Sequence, residues 1–475
     1  MTRRIAGALD ALAGGAIVLA AGLLLFGPWR QVLAGAPVSL RWTHAAFAGL
    51  ALLAVRHAAI PAPSTWTALR GLGRSIGRRP ALADALLAFG LTRPAVLIVG
   101  LAAAATFGVQ PSSDLRPNPR HALRELPARF DANWYAGIAL DGYQWERSFE
   151  RQQNIAFFPA LPMLMRGAGA ITGAFDPRLP RSRRIVRLAW AGLGIALAAF
   201  AFAAWYFGRL ARELVEPDRA RGAVFLLAAY PFSIFYSAAY TESLFLVAAL
   251  GAWYHARHGA YGRAAAWGLL AGLSRPNGFL VALPLGLIAL GMRDGPRAPA
   301  ARARRLPGFP RPVSWPGVAA AAMPAAGMLL YTVWLYLDTG VLFAWARVHA
   351  AWGRELGAAA PEIPSGALSS GLVGLALDHP YQALNALGLA FALSFVPAIW
   401  TRLGPAWTAF VLVSLLAPLL AGGLLSMGRL TSTLFPVFLA LAAVLPSRAV
   451  APVAAAFGLL QGLNAALFYT WRDMY

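Results

Sequence analysis

Apolar runs recur along the whole chain, separated by short clusters of arginine, proline and glycine. The runs are Ile5–Gly27, Leu40–Ile60, Ala81–Phe107, Leu188–Phe207, Ala223–Tyr236, Thr241–Ala256, Ala264–Leu273, Phe279–Leu290, Val313–Leu337, Tyr381–Trp400, Ala406–Gly422, Leu434–Leu445 and Val450–Thr470. A membrane span needs about 20 apolar residues, so the pattern predicts an all-α polytopic membrane protein with about 13 transmembrane helices, within a range of about 11 to 14. Ala264–Leu273 and Phe279–Leu290 are short and joined by Ser274-Arg275-Pro276-Asn277-Gly278. They predict a hairpin that lines protein or water, because lipid cannot satisfy the free backbone groups at its tip. Gly108–Arg187 is the longest polar region, and within it Ile155–Ala174 is apolar but broken by Pro159, Pro162 and Arg166. That stretch reads as a helix lying on the membrane surface. No internal repeat is visible.

Charge orients the spans. Arg56, Arg70, Arg74, Arg78 and Arg79 precede Asp84 with no acid between them, so this loop is expected in the cytoplasm by the positive-inside rule. The N-terminal end is then cytoplasmic too, and Gly108 emerges outside. Met1-Thr2-Arg3-Arg4 resembles a signal-peptide start, but the apolar stretch behind it is too long and more spans follow, which favours an uncleaved anchor. Residues 1–80 are expected to hold additional N-terminal helices and a basic loop. Residues 81–475 form the main membrane domain, with outer loops at 108–187 and 338–380. A multi-pass location in the cytoplasmic membrane is expected.

Composition narrows the function. Of the 475 residues 59% are hydrophobic and 13% charged, which excludes intrinsic disorder. All 41 basic residues are arginine, and there is no cysteine. Thiolate metal sites, Cys nucleophiles, Schiff-base chemistry and a Walker A lysine are therefore absent. No HExxH, GxGxxG or DxD occurs, which argues against zincin and metal-dependent nucleotide-sugar chemistry. No cofactor is expected, and nothing supports a divalent metal. The net charge of +22 invites a nucleic-acid reading, but arginines placed between apolar spans are better explained by orientation and by membrane lipids.

Four polar groups carry the candidate chemistry, all expected on the outer side. Asp131 lies in Arg129-Phe130-Asp131-Ala132-Asn133-Trp134-Tyr135, followed by Tyr143. It could be a general base in an aromatic setting or the N-cap of the helix that follows. Glu242 follows Tyr240-Thr241 at the edge of an apolar span. An acid there costs about 2.5–3.5 kcal/mol at mid-bilayer and less near the interface, so it either has a partner or function or caps the span. Arg275, beside Asn277, and Arg429 each sit at the outer end of apolar helices. Either could bind a lipid phosphate or snorkel to the headgroups. The loop 338–380 adds Trp345, His349, Trp352, Arg354 and Glu355, which suit a sugar or lipid acceptor or an interfacial aromatic belt. His255 and His258 are spaced i,i+3 with no nearby carboxylate in sequence, a poor metal site.

Phe130-Asp131-Ala132-Asn133-Trp134-Tyr135, Ile138-Ala139, Gly142-Tyr143 and Ala156-Phe157-Phe158-Pro159-Ala160-Leu161-Pro162 together resemble the signature of the GPI mannosyltransferase II (PIG-V) family and its bacterial relatives. The similarity continues in order through Tyr230-Pro231, Tyr240-Thr241-Glu242-Ser243, Ser274-Arg275-Pro276-Asn277-Gly278 and Gly428-Arg429 to Phe435-Pro436. Phe130 departs from the usual Trp, and the first two spans look like an addition to the family core. The resemblance implies a GT-C glycosyltransferase that moves a hexose, by default mannose, from a polyprenyl-phosphate donor to a lipid or glycan acceptor with inversion. It implies Asp131 as base, and Glu242 would position the acceptor or assist the base. Arg275 and Arg429 would contact the donor phosphate, and Asn133, Trp134, Tyr135, Tyr143, Tyr240 and Asn277 the substrates; His349, read from the 338–380 loop and not from the resemblance, is a further substrate-binding candidate. A flippase for a lipid-linked sugar, an O-antigen-type ligase and a scaffold subunit are the rival readings.

Overall fold

The computed structural model describes residues 2–26, 29–33, 36–59, 65–110, 122–292, 313–354, 374, 376–377 and 379–472. The apolar runs become helices, and the one sheet among the described residues is a short hairpin. Helices α1 (Thr2–Phe26) and α2 (Trp42–Ala59) are joined by antiparallel β1 (Trp29–Leu33) and β2 (Ala36–Leu40), with Trp29 opposite Leu40. The two helices pack through small residues such as Ala6, Ala13, Ala20 and Ala45, which let backbones approach closely. Asp10 and Arg56 form a largely buried ion pair at 3.0 Å between them.

The remaining helices are α3 (Thr65–Gly77), α4 (Pro80–Phe107), α5 (Ala122–Glu125), α6 (Ala132–Asp141), α7 (Ala160–Ile171), α8 (Arg181–Leu214), α9 (Pro217–Ala229), α10 (Glu242–Arg257), α11 (Tyr261–Ser274), α12 (Ala282–Ala289), α13 (Trp315–Thr339), α14 (Ala344–Val348), α15 (Pro380–Ser394), α16 (Val396–Arg402), α17 (Pro405–Gly422), α18 (Met427–Thr431), α19 (Phe435–Val444) and α20 (Ser447–Tyr469). Among the described residues six helical stretches are long and apolar enough to cross a membrane, or seven if one bent pair is a single span. The protein is thus multi-pass. Helix α7 has 12 residues, about 18 Å at the α-helical rise, too short to span. It packs on α6 and α8.

The run Ala223–Tyr236 is not one helix. Helix α9 stops at Ala229, Tyr230 is extended ahead of Pro231, and the 3-10 turn Pro231–Ser237 meets α10 at 97°. Proline removes a backbone donor and pushes the preceding residue out of the helical region. The freed carbonyls are met from neighbouring helices. Arg93 of α4 donates to the carbonyls of Ala228 (2.5 Å) and Ser233 (2.7 Å). Gln461 of α20 donates to those of Ala228 (2.9 Å) and Tyr230 (3.2 Å), and Asn464 to that of Pro231 (3.1 Å). A broken span is tolerated only where protein supplies such partners.

The pair expected as a hairpin is also broken. Helix α11 leads through the 3-10 turn Pro276–Val281 into α12. A Cβ on Gly278 would lie 1.9 Å from the Ala271 carbonyl oxygen, so only glycine lets the turn fold back over α11. The turn between Ser274 and Gly278 fixes where Arg275 stands.

Candidate active site

Helix α6 begins at Ala132, and Asp131 occupies its N-cap position, yet its carboxylate makes no capping bond. Its Oδ2 accepts from Arg429 Nη1 at 2.7 Å instead. Its backbone N–H donates to Tyr240 Oη at 3.0 Å, which seats the turn against the start of α10. The side chain keeps 21% of its surface open, so the carboxylate is held on one oxygen without being sealed. Phe130, just before it, has φ +45°, a left-handed conformation that costs a non-glycine residue about 1–3 kcal/mol and needs tertiary support. That support comes from ring contacts with Phe468 at 5.5 Å and Trp471 at 4.5 Å.

Glu242 is the first residue of α10 and is fully buried. Its Oε1 accepts from Arg429 Nε and faces Arg275 Nη2 at 3.6 Å. Its position in the first turn is favourable to a carboxylate through the helix dipole, but its side chain is turned into the cluster. Arg429 therefore bridges both acids through two edges of one planar guanidinium, a geometry lysine cannot reproduce. The same guanidinium lies 4.4 Å from the centre of the Tyr240 ring. Its helix, α18, starts after Ser426, which has φ +59°. It is pinned by the Gly428 N–H donating to Asn385 Oδ1 at 2.7 Å. A Cβ on Gly428 would lie 2.3 Å from the Phe232 ring.

Arg275 is buried over the Phe245 ring at 5.3 Å. Beyond Glu242, its Nε and Nη1 have no hydrogen-bond partner among the described residues; neither do Glu242 Oε2 and Asn133 Oδ1. Buried groups of this kind are rare in native proteins and call for a ligand or water.

An aromatic wall adjoins the cluster. Trp134 stacks on Phe157 at 5.6 Å, and Trp352 stands edge-on to both, at 5.9 and 5.8 Å. Tyr135 meets Phe157 at 5.1 Å and Tyr240 at 6.5 Å. Burial raises the Tyr135 hydroxyl pKa above its ordinary value, so it stays protonated. His349 joins the wall through Trp352 at 6.0 Å. Its Nδ1 contacts the Trp345 carbonyl at 2.6 Å. Burial pushes its pKa down to about 4, so the neutral ring donates from Nδ1 and Nε2 carries the lone pair.

The structure thus brings Asp131, Glu242, Arg275 and Arg429 together from four separate segments, with Tyr135 and Tyr240 against them. Tyr143 stands apart in its contacts. Its hydroxyl donates to the Phe157 carbonyl at 2.8 Å and its ring packs on Trp334 at 5.2 Å, so it props the wall from behind. Asn277 is half-buried in the turn after Arg275. Glu355 lies outside the described residues. His255 and His258 diverge, the first onto Tyr206 at 3.0 Å and the second onto Glu213 at 3.2 Å. Among the described residues no three His, Cys, Asp or Glu side chains gather as a metal site. The roles of Phe157 in the wall and of Arg93 under the broken span were not read from the sequence. Arg93 had a signal, a charge near the middle of an apolar run.

Comparison with known proteins places these residues in context. The family described as mannosyltransferase (PIG-V) matches residues 111–289. That stretch contains Asp131, Glu242 and Arg275 and ends before Arg429. Among solved structures, the crystal structure of the Archaeoglobus fulgidus oligosaccharyltransferase complex with Zn and sulfate is similar, at 16% identity and a TM-score of 0.40. The similarity covers 80% of this chain and 53% of that one, so the chain spans about half its length. No curated protein matches.

Proposed function

We propose that the chain is a membrane glycosyltransferase of GT-C type that moves a hexose, with mannose the first candidate, from a polyprenyl-phosphate donor to a lipid or glycan acceptor. The observation that carries this reading is the largely buried Asp131–Arg429–Glu242–Arg275 cluster, with unpartnered donors on Arg275 and an unpartnered acceptor on Glu242. An anion and a hydroxyl-bearing ligand would meet both kinds of group. The match to a mannosyltransferase family over 111–289 supports the sugar and the reaction class. The arginine-rich segment ahead of α4 supports placing the site on the outer face.

In the proposed reaction the acceptor hydroxyl attacks the sugar's anomeric carbon from the face opposite the phosphate. The new carbon–oxygen bond forms as the bond to the phosphate oxygen breaks, and the electron pair leaves with the phosphate. The hydroxyl proton passes to Asp131, a role worth about 10²–10⁴ in rate. Inversion follows from attack on the opposite face. Arg429 holds Asp131 in one rotamer, and Glu242 sets the position of Arg429. Guanidinium donors stabilise the charge on the departing phosphate. The Trp134–Phe157–Trp352 wall offers ring faces for a sugar.

The test is consumption of polyprenyl-phosphate mannose by membranes containing the protein, wild type beside Asp131→Asn. Consumption by wild type and its loss in a normally expressed variant is the expected result. Equal consumption by both would remove Asp131 from the chemistry. If neither consumes any tested polyprenyl-phosphate hexose, the flippase reading takes over, and transbilayer movement of the lipid-linked sugar is then the measurement.

A further inference from the structure

Resting on that reading, we infer that the donor phosphate is held by Arg354 of the second outer loop together with Arg275, and that Arg429 is a positioning residue rather than a phosphate ligand. The reason is which donors are already engaged. Arg429 has its Nε on Glu242 and its Nη1 on Asp131. An anion arriving there would have to displace a carboxylate and would be repelled by both. Arg275 contacts Glu242 only through Nη2 and keeps two buried nitrogens without hydrogen-bond partners.

Arg354 comes from a different part of the chain. The 3-10 turn His349–Trp352 ends at Gly353, whose φ of +70° turns the chain back. The Arg354 stem fits the space left by Gly422, where a Cβ would come within 2.9 Å of its Cγ. Its Nη2 donates to the Leu425 carbonyl at 3.0 Å. No hydrogen bond from its other nitrogens to a described residue is seen. The Leu425 carbonyl lies two residues ahead of α18, the helix that carries Arg429, which sets Arg354 beside the cluster; burial lowers its pKa to about 10, so it stays protonated at neutral pH. Among the described residues, three guanidiniums therefore face two carboxylates. The surplus is one positive charge, and a phosphodiester such as a polyprenyl-phosphate sugar carries one negative charge. Arg is suited to such an anion because its planar fork matches phosphate oxygens.

The experiment titrates the purified full chain with a long-chain polyprenyl phosphate and with the matching polyprenol, wild type beside Arg354→Gln, Arg354→Lys and Arg429→Gln. Wild type is expected to prefer the phosphate. Arg354→Gln is expected to weaken phosphate binding by about tenfold to a hundredfold with polyprenol binding unchanged, the size of one charge-assisted hydrogen bond. Arg354→Lys should restore part of it, and Arg429→Gln should lose turnover while keeping the preference. If Arg354 only pins the Leu425 carbonyl, Arg354→Gln will lower turnover and keep the full preference for phosphate, and the proposal fails. Equal displacement by phosphatidylglycerol would overturn it in favour of an ordinary lipid headgroup. A wild type that binds phosphate and alcohol alike would overturn the donor reading itself, an outcome distinct from the loss of Arg354 alone.

Discussion

Arg429→Met and Glu242→Gln, made singly and together, test whether the buried charges act as one unit. Glu242 has no exposed side-chain surface and Arg429 only 11%. Arg429→Met removes both bridging edges and leaves Glu242 facing only Arg275, at 3.6 Å. Breaking a buried pair from one side costs about 3–5 kcal/mol, because the remaining charge is uncompensated. Glu242→Gln keeps the shape and an accepting oxygen for Arg429 Nε and should cost less, about 1–3 kcal/mol. In the double variant no buried carboxylate is orphaned at position 242, and Asp131, with 21% of its side-chain surface open, can turn to water. The double variant should therefore be more stable than the sum of the single losses, by about 0.5–3 kcal/mol. Its transfer rate should stay low, since a misplacement of about 1 Å at a reacting group can cost about 10². Equilibrium unfolding of the detergent-solubilised protein measures the first quantity and sugar transfer from a lipid-phosphate donor the second. Additive single losses to within about 0.5 kcal/mol would refute the idea that these residues form one unit.

Other expectations follow from separate parts of the structure. Gly278→Ala should displace the turn that carries Arg275, because its Cβ meets the Ala271 carbonyl at 1.9 Å; transfer should fall about a hundredfold, measured beside a melting curve. Arg93→Met should lower unfolding stability by about 2–4 kcal/mol, since the carbonyls of Ala228 and Ser233 each lose a charged donor; an unchanged melt would contradict the account of the broken span. Trp134→Ala should raise KM for the sugar substrate roughly three- to tenfold with a smaller change in kcat, the size of one aromatic contact. His349 has its pKa lowered to about 4 from an ordinary 6.5, so the unfolded chain takes up its proton first as pH falls. The resulting destabilisation is absent above about pH 6.5 and grows down to about pH 4. His349→Gln should flatten that acid-side loss in melts recorded across the range. A reporter active only outside the membrane should work after Gln110 and be silent after Arg74.

The sequence by itself determined the class of this protein. Long apolar runs leave few alternatives to membrane helices, because the period and length of such segments are set by bilayer thickness and backbone hydrogen bonding. The same physics makes an isolated polar residue inside or beside a run conspicuous, which is how Asp131, Glu242, Arg275 and Arg429 were legible as candidates. Their roles relative to one another were not legible. Asp131 sits at a helix N-cap and Glu242 in the first turn of a helix, both favourable to a carboxylate without any partner, and only the positions of Arg429 and Arg275 decide that their carboxylates turn inward. Arg429 and Arg275 looked equivalent as phosphate ligands, yet one guanidinium is engaged on both edges and the other keeps unpartnered nitrogens. The break at Tyr230-Pro231 was hidden in a continuous apolar run, since hydropathy averages over a turn whose carbonyls are met by Arg93, Gln461 and Asn464 from far along the chain. Pairings between residues 131 and 429, or 93 and 228, belong to long-range packing. Local pattern fixes which segments enter the membrane, whereas the sharing of one guanidinium between two acids exists only once four separate segments have met.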